Sequence, residues 1–124
     1  GVFTYAWLGI SGTELDPLVR DSMNLPKNSK GIQVINVVSN SPADLAGLVG
    51  SNKVVNTDSG FQLRIGGDVI VKINNLEVTN MADLIAILVE KMSPGETITL
   101  GILRDGGKYF EVQLELGSRP VSVS

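Results

Sequence analysis

The sequence predicts a mainly β fold with helices, and three features of it point that way. Segments 31–38, 69–73, 97–103 and 108–116 are rich in β-branched or aromatic residues and are bounded by polar or glycine-containing punctuation. Asp105-Gly106-Gly107 lies between the last two of these, where it signals a hairpin. Capping residues followed by proline (Asp16-Pro17 and Ser41-Pro42) and an apolar stretch at helical spacing over 80–92 supply the helices.

Taken in order, Gly1 to Ala6 carries Val2, Phe3 and Tyr5 and reads as a lead-in that lies against the domain. Trp7-Leu8-Gly9-Ile10 runs into Ser11-Gly12-Thr13. Glycine admits backbone angles closed to other residues, so successive amides around Gly9 can converge on an anion, with Leu8 and Ile10 walling a pocket beside it. The same four residues also suit a plain strand that begins at a glycine bulge.

Asp16 caps a short helix that Pro26 stops, with Leu18, Ser22 and Leu25 on one side and Val19 and Met23 on another. The strand over 31–38 breaks at Ser39-Asn40-Ser41-Pro42. A second helix starts there, with Asp44 in its first turn and with Ala43, Ala46 and Gly47 small enough for close approach to a sheet. Residues 49–64 form a long surface loop with room for a small hairpin through Val54-Val55 and Phe61-Leu63. Asn74-Asn75 turns the strand over 69–73 into Leu76-Glu77-Val78.

The longest helix, capped by Thr79 or Asn80 and ended by Ser93-Pro94-Gly95, is apolar on two sides. Leu84, Leu88 and Met92 suit a core, while Met81, Ile85 and Leu88 form a second line. A helix of that kind touches two things. In the last strand, Phe110, Val112, Leu114 and Leu116 face one way and Tyr109, Glu111, Gln113 and Glu115 the other, and Gly117 to Ser124 reads as an exit tail.

With 124 residues, 43% apolar and 19% charged, the chain has the size and composition of one folded domain. Its net charge of -3 and the lack of a Lys/Arg cluster exclude nucleic acid as a partner. No apolar run approaches the ~18 residues of a membrane span, so direct membrane insertion is not expected. Cysteine and histidine are both absent, which removes disulfides, thiolate chemistry, zinc clips and the commonest general base. No catalytic residue, metal or cofactor is expected.

Together, Trp7-Leu8-Gly9-Ile10, Ser41-Pro42-Ala43-Asp44-Leu45-Ala46-Gly47-Leu48, Ile65-Gly66-Gly67-Asp68-Val69-Ile70 with Ile73-Asn74, the long helix, Pro94-Gly95-Glu96-Thr97-Ile98-Thr99-Leu100 and Leu103-Arg104-Asp105-Gly106 resemble a PDZ domain. The likeness is greatest to the C-terminal PDZ domain of HtrA (Deg) trypsin-like serine proteases. It covers 5–118 and leaves 1–4 as lead-in and 119–124 as tail.

The resemblance implies a small, partly open β-barrel of five to six strands capped by two main helices. Its strand order would be the permuted, bacterial one, in which the final strand neighbours the carboxylate-binding loop. A peptide would add as a strand beside the segment after that loop. The amides of Leu8, Gly9 and Ile10 would take its carboxylate, and Ser11, Gly12 and Thr13 would pair with its backbone. Leu8, Ile10, Met81, Ile85 and Leu88 would form the hydrophobic pocket. Many PDZ domains carry a basic residue shortly before the loop; Phe3-Thr4-Tyr5-Ala6 has none, so the amides would hold the carboxylate largely by themselves.

The implied partners are peptides or unfolded protein segments and the protease domain of the same parent chain, in an extracytoplasmic, periplasmic or cell-surface setting. A PDZ domain of a tail-specific or intramembrane protease, or of a secretion component, is the alternative. Catalysis within the chain is disfavoured: a Ser-His-Asp triad needs a histidine, and no Gly-x-Ser-x-Gly elbow is present. Gly101 to Lys108 misses a P-loop by one residue and lies in a hairpin. Asp16/Asp21, Glu111/Glu115, Lys91 and Arg119 read as solvated surface charges. Peptides ending in Val, Leu, Ile or Phe are expected to bind, amidation to weaken them, and Leu88→Asp to abolish binding without unfolding the domain.

Overall fold

A computed structural model describes residues 4–120. The lead-in residues 1–3 and the end of the tail, 121–124, lie outside the described residues. The elements run β1 (Thr4–Trp7), β2 (Ile10–Glu14), α1 (Pro17–Ser22), β3 (Ile32–Val37), α2 (Pro42–Leu45), β4 (Lys53–Asn56), β5 (Gln62–Ile65), β6 (Val69–Ile73), β7 (Leu76–Glu77), α3 (Met81–Lys91), β8 (Thr97–Arg104), β9 (Lys108–Glu115) and β10 (Gly117–Pro120). The fold is mainly β with three helices. Its largest sheet has the order β2-β3-β6-β8-β9, with β7 also on β6, and β2 lies at its edge.

Two small ribbons complete the sheets. β4 and β5 pair as a hairpin within the long connection, where Val54 faces Arg64 and Val55 faces Leu63. β1 pairs antiparallel with β10, from Thr4 opposite Pro120 to Trp7 opposite Gly117. Thr4, Arg119 and Pro120, just outside the expected 5–118, are strand residues of this ribbon. Because β1 runs straight into the segment before β2, this last strand lies beside the Leu8-Gly9-Ile10 loop, as the permuted order implies.

The helix starts follow their caps. The Asp16 carboxylate accepts from the Leu18 amide at 2.7 Å, the Ser41 hydroxyl from the Asp44 amide at 3.2 Å, and the Asn80 side chain from the Asp83 amide at 2.8 Å. Of the two expected caps of the long helix, Asn80 is therefore the one used. In α1 the side carrying Val19 is the buried one and Leu18 is exposed. The helix ends at Ser22, and Asn24 then turns the chain through φ +56. Leu25 thus joins Val19, Leu15 and Val69 in a small apolar cluster instead of extending a line with Leu18.

The main core gathers Leu8, Ile32, Val34, Ile70, Ile73, Leu84, Leu88, Ile98, Leu100, Ile102 and Leu116 between α3 and the sheets. Behind it, buried Asp68 anchors the connection from α2. It accepts from the Val49 amide at 2.8 Å and takes two 2.7 Å bonds from Arg104, which also donates to the Gly47 carbonyl at 2.9 Å. The bond to Asp68 holds the Arg104 guanidinium above its ordinary pKa, against the opposing effect of burial.

Candidate functional site

Gly9 sits between β1 and β2 with φ +87, and a side chain there would overlap Ser41. Glycine is required for both reasons. The carbonyls on either side of this residue are tied inward. The Leu8 carbonyl accepts from the Ala43 amide at 3.0 Å, and the Gly9 carbonyl accepts from the Val38 amide at 2.8 Å and from the Ser41 hydroxyl at 3.4 Å. In a planar trans peptide the N–H lies opposite the preceding C=O. The Gly9 and Ile10 amides therefore face away from α2 and β3, on the same side of the loop.

The edge of β2 can be read from its ladder. Val38 donates to Gly9 and Leu15 donates to Gly31, so the pairs Ile10–Val37 and Glu14–Ile32 lie between hydrogen bonds. Ile10 and Glu14 consequently turn their own backbone groups to the open edge, and alternation adds Gly12. Of the expected trio Ser11, Gly12 and Thr13, only Gly12 faces the open edge; the backbones of Ser11 and Thr13 face β3. The alternation was readable in the sequence, but its phase was not, because it depends on which neighbour β3 bonds first.

A groove of about 240 Å³ lies between this edge and α3. The five residues given to the hydrophobic pocket, Leu8, Ile10, Met81, Ile85 and Leu88, line it together with Gly9 of the carboxylate loop. Leu8 and Leu88 are nevertheless buried in the main core and present little surface, whereas Ile85 is half exposed. Leu88→Asp would thus place a carboxylate in the core, and the expectation that it spares the fold is corrected. Met81 marks the far end, its sulfur 3.4 Å from where a Cβ on Gly12 would lie; what requires glycine there is β3, since that Cβ would come within 2.7 Å of the Ile32 side chain and 2.9 Å of the Gln33 carbonyl.

The structure adds lining residues that the sequence reading left out: Tyr5, Ala6, Trp7, Leu84, Val89 and Arg119. Val89 follows Ile85 at i+4, a signal visible in the helix periodicity. Arg119 arrives on β10 opposite Tyr5, and its guanidinium lies 5.5 Å from the centroid of the Trp7 ring. The groove is smaller than the ~300–1,000 Å³ typical of small-molecule pockets, and an open strand edge runs along it. It suits one apolar side chain whose backbone lies on β2.

A second depression, of about 340 Å³, is lined by Asp68 and Arg104 among others. Its charged pair is consumed by the 2.7 Å bonds already described, which makes it part of the scaffold. Among the described residues no group of His, Cys, Asp or Glu has the arrangement of a metal site.

Residues 6–116 match the PDZ domain family. Among curated proteins, the chain is 30% identical over 120 residues to a protein described as a probable periplasmic serine endoprotease, DegP-like, of Bartonella henselae. That match covers 97% of this chain and 20% of the relative. It is 36% identical over 109 residues to the periplasmic serine endoprotease DegP of Escherichia coli, covering 88% of this chain and 19% of the relative. The chain thus spans about a fifth of the length of these relatives.

Among solved structures, the HtrA-type protease AlgW with a tripeptide superposes with a TM-score of 0.71 at 26% identity, over 96% of this chain and 33% of that one. The HtrA3 PDZ domain bound to a phage-derived ligand shares the fold, with a TM-score of 0.63 at 22% identity over 98% of this chain and 91% of that one. With the match spanning nearly the whole described fold, the chain belongs to the PDZ domain family.

Proposed function

We propose that this PDZ domain receives an extended peptide as an added strand on the open edge of β2, with an apolar C-terminal side chain in the groove and its carboxylate on the Gly9 and Ile10 amides. One observation carries the reading. The Leu8 and Gly9 carbonyls are tied inward, so two amides turn outward at the end of a strand edge that has an apolar floor. A carboxylate there accepts charge-assisted hydrogen bonds without a metal or a cofactor.

The domain serves a larger HtrA-like serine protease. It binds hydrophobic C-termini or extended segments of substrates and feeds or regulates the catalytic domain. The likeness to DegP proteins and to HtrA-type proteases solved with peptides supports this assignment, and the periplasmic description of those relatives supports an extracytoplasmic setting. Without histidine, the chain supplies binding and leaves a triad to other residues.

The test is an NMR titration with a short peptide ending in valine. Shifts are expected at the amides of Gly9, Ile10 and Gly12 and along Ile85 and Val89. Shifts confined to the Asp68/Arg104 face, or to the β4–β5 hairpin, would overturn the reading.

A further inference from the structure

Among the described residues that line the groove, Arg119 alone is charged, and it comes from the last strand. Thr4, Tyr5, Ala6 and Trp7 carry no positive charge, yet β10 places Arg119 directly opposite Tyr5. The Trp7 ring links it to the loop. The guanidinium carbon lies over the ring, 5.5 Å from its centroid, while Cζ2 of the same ring lies 3.3 Å from where a Cβ on Gly9 would be. Attraction to the ring face holds the cation beside the loop, and a guanidinium offers several N–H donors to an anion.

The other charged residues do not compete for this place. Among the described residues the ion pairs are Arg20 with Asp21 and Arg104 with Asp68, both outside the groove lining. Every other residue lining the groove is uncharged, so its charge complement is an anion.

Building on the peptide-groove reading, we infer that Arg119 is the electrostatic anchor for a ligand carboxylate and fills, from β10, the place that the segment before the loop leaves without a cation. The carboxylate belongs to the peptide terminus or to an acidic side chain beside it. The chemistry is the same for both sources. Arg119 acts as a specificity-determining residue: it favours acids over amides and contributes little to the apolar contact.

The sole tryptophan of the chain, Trp7, provides the readout, because it touches both Arg119 and the groove. Trp7 fluorescence is titrated with three acetylated pentapeptides: one ending in valine as the free acid, its amide, and the amide with glutamate next to last. Wild type is compared with Arg119→Gln and Arg119→Lys, and thermal melts check that each variant is folded.

Arg119→Gln is expected to weaken the free acid by about two- to fivefold at low salt, the scale of an exposed ion pair, and to leave the plain amide unchanged. The difference shrinks as salt screens it, and Arg119→Lys, which keeps the charge but loses the planar fork, retains part of it. A loss confined to the glutamate-bearing amide also supports the inference and assigns the carboxylate to a side chain. If the variant binds all three peptides as wild type does, or weakens acid and amide equally, the anchor role is overturned and the groove stands. If wild type binds none of the three, the groove reading fails first and the anchor with it.

Discussion

The Ser41 hydroxyl donates to the Gly9 carbonyl at 3.4 Å while accepting from the Asp44 amide at 3.2 Å, so one buried side chain both starts α2 and fixes the direction of the loop peptide. Ser41→Ala removes both contacts. The expected cost is about 1–2 kcal/mol, the scale of a lost N-cap. Urea unfolding checks the stability. Peptide affinity in the same variant should fall as well, because the Ile10 amide loses part of what orients it.

Gly9→Ala puts a methyl group where Ser41 already lies and demands a left-handed backbone at φ +87. Backbone strain alone costs about 1–3 kcal/mol, and the overlap adds to it. A lower melting temperature together with lost peptide binding is the expected result. A variant of wild-type stability that still binds would show that the loop tolerates another path.

Ile85 and Leu88 should separate binding from folding. Ile85 is half exposed over the groove, so Ile85→Asp is expected to weaken valine-ended peptides by about tenfold with a melting temperature near wild type, as surface changes usually do. Leu88 is 7% exposed and belongs to the core, and Leu88→Asp should unfold or severely destabilise the domain, by on the order of 4–5 kcal/mol. Circular dichroism melts beside a binding assay distinguish the two outcomes.

Arg104→Met leaves Asp68 buried with only the Val49 amide to satisfy it. Breaking a buried pair in this way costs on the order of 3 kcal/mol, and denaturant titration measures it. The pH sign is set by the raised pKa of Arg104, which arises first from its bond to Asp68. A cation with a raised folded pKa contributes fully below its unfolded value and loses that contribution only as pH rises through the folded one. This pair should therefore keep its contribution from neutral into mildly alkaline solution.

What was legible in the sequence was mostly local. Ser41-Pro42 starts α2, Asn80 starts α3 and Asp105-Gly106-Gly107 closes the β8–β9 hairpin because each signal lies within a few residues of its effect. The groove lining of Ile10, Met81 and Ile85 was legible through helix periodicity combined with family likeness. Arg119 was read as a surface charge because its place depends on β10 finding β1, a pairing between opposite ends of the chain that leaves no short-range mark. The phase of the β2 edge was hidden for a similar reason, since β3 decides which amides remain open. Leu25 left the side it would share with Leu18 because α1 stops at Ser22, short of Pro26.

The pairing of Thr4 with Pro120 brings the two ends of the described chain out side by side. Tension between flanking segments would load that ribbon like a zipper, opening Thr4–Pro120 first and Tyr5–Arg119 next, one rung at a time. The second rung holds the arginine at the groove, so a modest pull on the ends would withdraw a charge from the site before the core felt the force.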